Sequence, residues 1–179
     1  MAHVWRSNNG LERTDGRYSA RAKAVYLRNS AGLFGDTMTG LPLLRRKQLL
    51  NELGHTALAS RSFWSHDLGD SIAFDAWEHH WLRNAKGDLL KYPLRTNGRH
   101  YNLENAKRNP RRGHTRWQTH VDLVLAGKRR VLALVPVAND PKANPNRGAK
   151  GWLPLHVDGH VKVDSEGQVW FLTDRIVPV

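Results

Sequence analysis

The 179-residue chain contains no cysteine. Disulfides, CxxC zinc sites and thiol catalysis are therefore excluded, and a reducing compartment suits it. Long apolar runs are missing as well. Stretches such as Val131-Leu-Ala-Leu-Val-Pro-Val137 fall far short of the ~20 residues that span a bilayer. The opening Met-Ala-His-Val-Trp-Arg lacks the apolar core of a secretory leader. The expectation is a soluble cytoplasmic protein. Nucleoside-triphosphate chemistry has no motif to carry it: there is no GxxxxGK[ST] loop, and Gly32, Gly35 and Gly40 do not form GxGxxG. Neither GxSxG nor HExxH occurs.

Acidic residues are scarce relative to basic ones, 16 against 28, for a net charge of +12. The surplus is concentrated. Residues 101–151 hold eleven Lys/Arg and three acids, whereas 152–179 hold two and four. Within that stretch runs Lys107-Arg108-Asn109-Pro110-Arg111-Arg112-Gly113-His114-Thr115-Arg116. Like charges so close together repel and destabilise a compact state, and a polyanion relieves that repulsion. Nucleic acid, DNA or RNA, is the expected partner. Lys107, Arg108, Arg111, Arg112 and Arg116 are the main candidate contacts, because guanidinium forks pair phosphate oxygens bidentately. Lys128, Arg129 and Arg130 join them from a following turn, and Tyr101 is a candidate for stacking on an unpaired base. The competing reading is a solvated basic surface.

Hydrophobic residues make up 40% of the chain, enough for a core in a single domain over 1–179. The first part, about 17–85, reads as helical. Ser19–Asn29 is rich in helix formers, and Pro42–Leu53 has Pro in its first turn and Gly54 where a left-handed cap belongs. Phe74, Trp77 and Trp81 follow helical spacing, and Asn84–Asp88 reads as a hairpin turn. From about 113 to 173 the chain reads as strands. Thr115, Trp117, Thr119, Val121, Leu123 and Leu125 alternate with mostly polar residues. Gly127-Lys128, Asp158-Gly159 and Ser165–Gly167 look like turns between short strands. The fold expected is α+β, a helical N-terminal half packed on a C-terminal antiparallel meander or small barrel.

Three groupings carry candidate chemistry. On the expected strand, His120 and Asp122 share a face with Arg116, the makings of a metal-assisted or general-base centre. On the expected helix, Asp75, Glu78 and His79 fall at i, i+3 and i+4. His156-Val-Asp158-Gly-His160 stands as a possible second half of the first centre, although Asp158-Gly159 is also an ordinary turn signal. Each grouping reads equally as a polar surface. The function expected is nucleic-acid binding, extending to a Mg²⁺-dependent nuclease or phosphodiesterase. The alternatives are an inhibitor or adaptor docking on an acidic protein, and a modified-base reader. A nuclease calls for a cleft where a carboxylate, a histidine and Arg111 or Arg112 converge. An inhibitor calls for a flat basic face over no buried titratable group. A base reader calls for a pocket walled by two aromatics.

Overall fold

The computed structural model describes residues 42–55, 64–85, 87–96, 99–100, 112–142 and 148–179, with the backbone alone at 99, 100 and 112. In chain order the elements are α1 (Arg46–Glu52), β1 (Ser65–Asp67), β2 (Ser71–Asp75), a 3-10 turn (Glu78–His80), β3 (Leu82–Arg83), β4 (Leu89–Thr96), β5 (Arg99–His100), α2 (Arg112–Leu125), β6 (Arg130–Ala138), β7 (Ala149–Val163) and β8 (Val169–Pro178). The strands form one sheet in the order β1-β2-β6-β7-β8-β4-β3, with β5 paired to β4. It is mixed, because β2 and β6 run parallel while the other pairs are antiparallel. This overturns the expected helical half on an antiparallel sheet. The described part of residues 17–85 holds three strands and only a seven-residue α-helix, and the longest helix among the described residues lies in the region read as sheet. The helix expected over 19–29 lies outside the described residues.

Two elements account for the reversal. Ser71–Asp75 is buried at every position. α1 covers one face of it, with Leu49 and Leu50 clustered on Ala73, Leu132 and Leu134. The other face carries Ile72 and Phe74 into the cluster with Trp117 and Val121 of α2. A strand buried on both sides shows no alternation, so its aromatics suggested a helix instead. Residues 112–125 make the opposite case. Their buried positions are Gly113, Trp117, His120, Val121 and Val124, a helical stripe, while Thr115 and Thr119 are exposed. Trp117 and Val121 satisfy periods of two and of four alike. Past the helix, Gly127 at φ 67° donates to the Val124 carbonyl and Lys128 to the Leu123 carbonyl. These two bonds form a Schellman C-cap, so Gly127-Lys128 ends a helix rather than turning a hairpin.

α1 ends in the same way, with Gly54 at φ 76° donating to Asn51 and His55 to Leu50, as the position of Gly54 predicts. It starts later than Pro42, because Leu44 exchanges both backbone bonds with Trp152 and holds the preceding chain extended. The sheet curls around α2. Elements from both ends of the strand order, β1 and β2 on one side and β5 on the other, contact this helix. The Trp117 indole donates to Leu94 of β4 at 2.8 Å and meets Phe74 of β2 edge-on at 4.7 Å. The turns at Asn84–Asp88 and Ser165–Gly167 form as expected. Asp158-Gly159 does not turn. β7 runs through it for 15 residues, with a register shift where Asp174 stands as an extra residue on β8. Among the described residues no helix is long and apolar enough to cross a membrane.

Candidate functional site

The described residues hold sixteen Lys/Arg and twelve Asp/Glu, a net of +4, so +8 of the total +12 belongs to residues outside them. Inside, carboxylates and arginines pair: Asp67 with Arg129, Asp70 with Arg130, Asp75 with Arg46, Glu78 with Arg83, Asp122 with Arg95 and Asp158 with Arg175. Lys107, Arg108, Arg111 and Tyr101 lie outside the described residues, and Arg112 opens α2. Arg116 falls one helical turn before His120, on the face turned toward β1. Lys128, Arg129 and Arg130 follow the far end of the helix. The expected single strand edge is therefore replaced by two basic ends about 20 Å apart, the length of fourteen helical residues.

The first two catalytic groupings are dispersed. On a helix, residues two apart point in nearly opposite directions, and His120 and Asp122 do so. His120 is buried and shares a 2.9 Å hydrogen bond with the Ser65 hydroxyl, while Asp122 is 66% exposed and bonded to Arg95. Burial, reinforced by the nearby Arg116, holds the His120 pKa below its ordinary value against the opposing pull of Asp67. Asp75, Glu78 and His79 separate because β2 ends at Asp75. Glu78 pairs with Arg83, and His79 packs against the rings of Trp77 and His80.

Asp75 instead joins α1 to the sheet. Its carboxylate accepts from Arg46 at 3.1 Å and from the Trp152 indole at 3.3 Å, and Arg46 lies 5.4 Å over the Trp152 ring. His66 Nε2 stands 3.8 Å from the same carboxylate, beyond hydrogen-bond range, and is buried with no hydrogen-bond partner. Trp152 and His66 were missed as members of this centre. Their contacts bridge distant strands and leave no local pattern.

The third grouping stays together. His156, Asp158 and His160 line a depression of about 880 Å³ with Arg129, Arg130 and Arg175. His156 Nε2 lies 3.2 Å from Asp158, whose other oxygen accepts from Arg175 Nε at 2.6 Å. His160 Nδ1 donates to Asp174 at 2.8 Å. Asp174 is the extra residue at the register shift, and such irregularities re-aim side chains. Gly159 makes the close approach possible: a Cβ there would stand 2.1 Å from the Leu172 carbonyl oxygen and 2.5 Å from the Phe171 ring. Burial lowers the His156 pKa more than Asp158 raises it, which favours a neutral imidazole. At the rim, the hydrogen bond from Arg130 holds Asp70 below the usual carboxylate range.

The depression thus brings carboxylates, histidines and arginines into one place, with Arg129, Arg130 and Arg175 where Arg111 or Arg112 was expected. Two histidines are the only aromatic rings in its lining. Among the described residues no group of three His, Cys, Asp or Glu side chains is arranged to hold a metal ion. Fold and site together define a curled mixed sheet around one helix, with a charged depression beyond the helix C-terminus. No protein-family model, curated protein or solved structure matches the chain.

Proposed function

We propose that the protein binds nucleic acid through phosphate contacts from the basic segment running into α2 and from the turn at 128–130. One observation carries this reading. Residues 101–151 hold eleven Lys/Arg against three acids, and four of those cations fall within residues 107–112 with no acid between them. Charge gathered in this way, without matching carboxylates, suits a polyanion. Arg112 and the 128–130 turn flank α2, so a strand reaching both covers about 20 Å, or roughly six nucleotides at 3.4 Å each.

The test is binding of labelled single- and double-stranded DNA and RNA at 50 and 200 mM salt. Wild type should lose affinity steeply with salt, and each phosphate contact removed should flatten the log–log slope by about 0.7–0.9. The variant K107A/R108A/R111A/R112A should lower affinity and flatten the slope. An unchanged slope would remove this segment from the interface. No binding at 50 mM would transfer the basic surface to an acidic protein partner. Running the products with Mg²⁺ and with EDTA on a denaturing gel decides whether the strand is also cut.

A further inference from the structure

We infer that the depression beyond the C-terminus of α2 takes one unpaired nucleotide, so that the preferred ligand is a single strand. This rests on the nucleic-acid reading above and narrows it. The two helix C-termini, the β1–β2 turn and the β7–β8 irregularity meet there. Its 880 Å³ lies within the range of about 300–1,000 Å³ typical of small-ligand sites. The lining divides by chemistry. Leu53, Leu68, Val124, Val131 and Leu132 give it an apolar part, and arginines, aspartates and histidines give it a polar one.

The polar groups retain bonding capacity. A guanidinium carries five N–H donors. Arg175 uses Nε on Asp158, and Arg130 uses one Nη on Asp70, while their side chains stay 73% and 76% exposed. Their remaining donors suit phosphate oxygens. His160 uses only Nδ1 on Asp174, which leaves its Nε2 for a further hydrogen bond, and the second oxygen of Asp174 is a further acceptor. A base edge offers the matching N–H groups, and a base face suits the aliphatic part. A uniformly basic groove would bind paired and unpaired strands alike. Here each cation has a carboxylate or histidine neighbour, so the depression is no simple anion trap. In a duplex the base faces and edges are already stacked and paired, and freeing one costs a few kcal/mol.

The experiment compares a labelled dT12 strand and a dT12·dA12 duplex at 50 mM salt for wild type, Arg175→Gln and Leu125→Asp. Leu125 lines the depression from an exposed helix end and belongs to neither core cluster, so it tests the site without removing an ion pair. Wild type should prefer the strand by at least about tenfold, equivalent to ~1.4 kcal/mol. Both variants should lose most of that preference while holding duplex affinity within about twofold. Titration with thymidine 5′-monophosphate should move the ring resonances of His156 and His160, and inorganic phosphate alone should move them less. Equal affinity for strand and duplex, or equal loss for both in the variants, would overturn the nucleotide pocket and leave the general nucleic-acid reading standing. Failure of both DNA forms and of the matching RNA strand to bind would overturn both readings.

Discussion

Replacing Asp75 should damage stability before it damages any chemistry. The carboxylate is 5% exposed and faces Arg46, itself 12% exposed, at 3.1 Å. Asp75→Asn keeps the shape but leaves the guanidinium buried against a neutral amide. Removing one partner of a buried pair costs about 3–5 kcal/mol, and the residual exposure of Arg46 argues for the lower end. For a chain of this size that corresponds to a fall in Tm of roughly 6–20 °C, out of a total stability of about 5–15 kcal/mol. Arg46→Met alone should cost a similar amount by stranding the carboxylate. The double replacement Arg46→Met with Asp75→Leu should recover most of the loss, because apolar groups of similar volume replace buried pairs at little cost. Thermal and urea unfolding of these proteins, with Asp75→Leu alone as the fourth corner beside wild type, Arg46→Met and the double replacement, closes the cycle. A loss below about 0.5 kcal/mol for Asp75→Asn, with no coupling to Arg46, would refute the structural role. If that variant folded normally but abolished strand cleavage, Asp75 would return as a catalytic candidate.

Two other outcomes follow from the same geometry. Gly159→Ala places a methyl group 2.1 Å from the Leu172 carbonyl oxygen, which no rotamer relieves, so it should cost several times the ~1 kcal/mol of an ordinary substitution. Gly54→Ala has open space around its added Cβ and should cost only the strain of its positive φ, a contrast readable by urea denaturation. Stability should also fall as pH drops below the unfolded histidine value of 6.5, because His55, His114, His120 and His156 all have pKa values lowered in the fold, chiefly by burial. The unfolded chain then binds protons that the folded chain excludes, so this contribution is full above 6.5 and is lost downward toward the folded values. His120→Asn should flatten the profile between pH 7 and 5, and a profile unchanged from wild type would remove His120 from it.

The parts legible in the sequence are those set by neighbouring residues. Gly54 ending α1, the Asn84–Asp88 hairpin turn and the Asp164–Gln168 turn depend on bonds within about five residues, and local reading found them. The failures share a cause as well. β2 is wrapped between two helices, and α2 sits inside a curled sheet, so tertiary burial decides both against their local patterns. The resemblance between Thr119-His-Val-Asp122 and Leu155-His-Val-Asp158 shows how little a short string settles. In α2 the histidine is buried on Ser65 and the acid faces outward, whereas on β7 the two side chains meet at 3.2 Å.

The same contrast explains why the His156–His160 string, and not the other two groupings, keeps its residues together. On a strand, residues two apart share a face whatever the rest of the fold does, so the pairing of His156 with Asp158 follows from strand geometry. Its partners are a separate matter. Arg175 reaches Asp158 from the neighbouring strand, and Asp174 meets His160 because β8 carries one more residue than β7 across the register shift. Beside that extra residue the two strands approach so closely that a Cβ at position 159 would collide with Leu172 and Phe171. The glycine that resembles half of a turn signal instead sits mid-strand where no Cβ fits. A candidate site built on this irregularity depends on one backbone position, which makes Gly159 the residue whose substitution should disturb the depression and the sheet together.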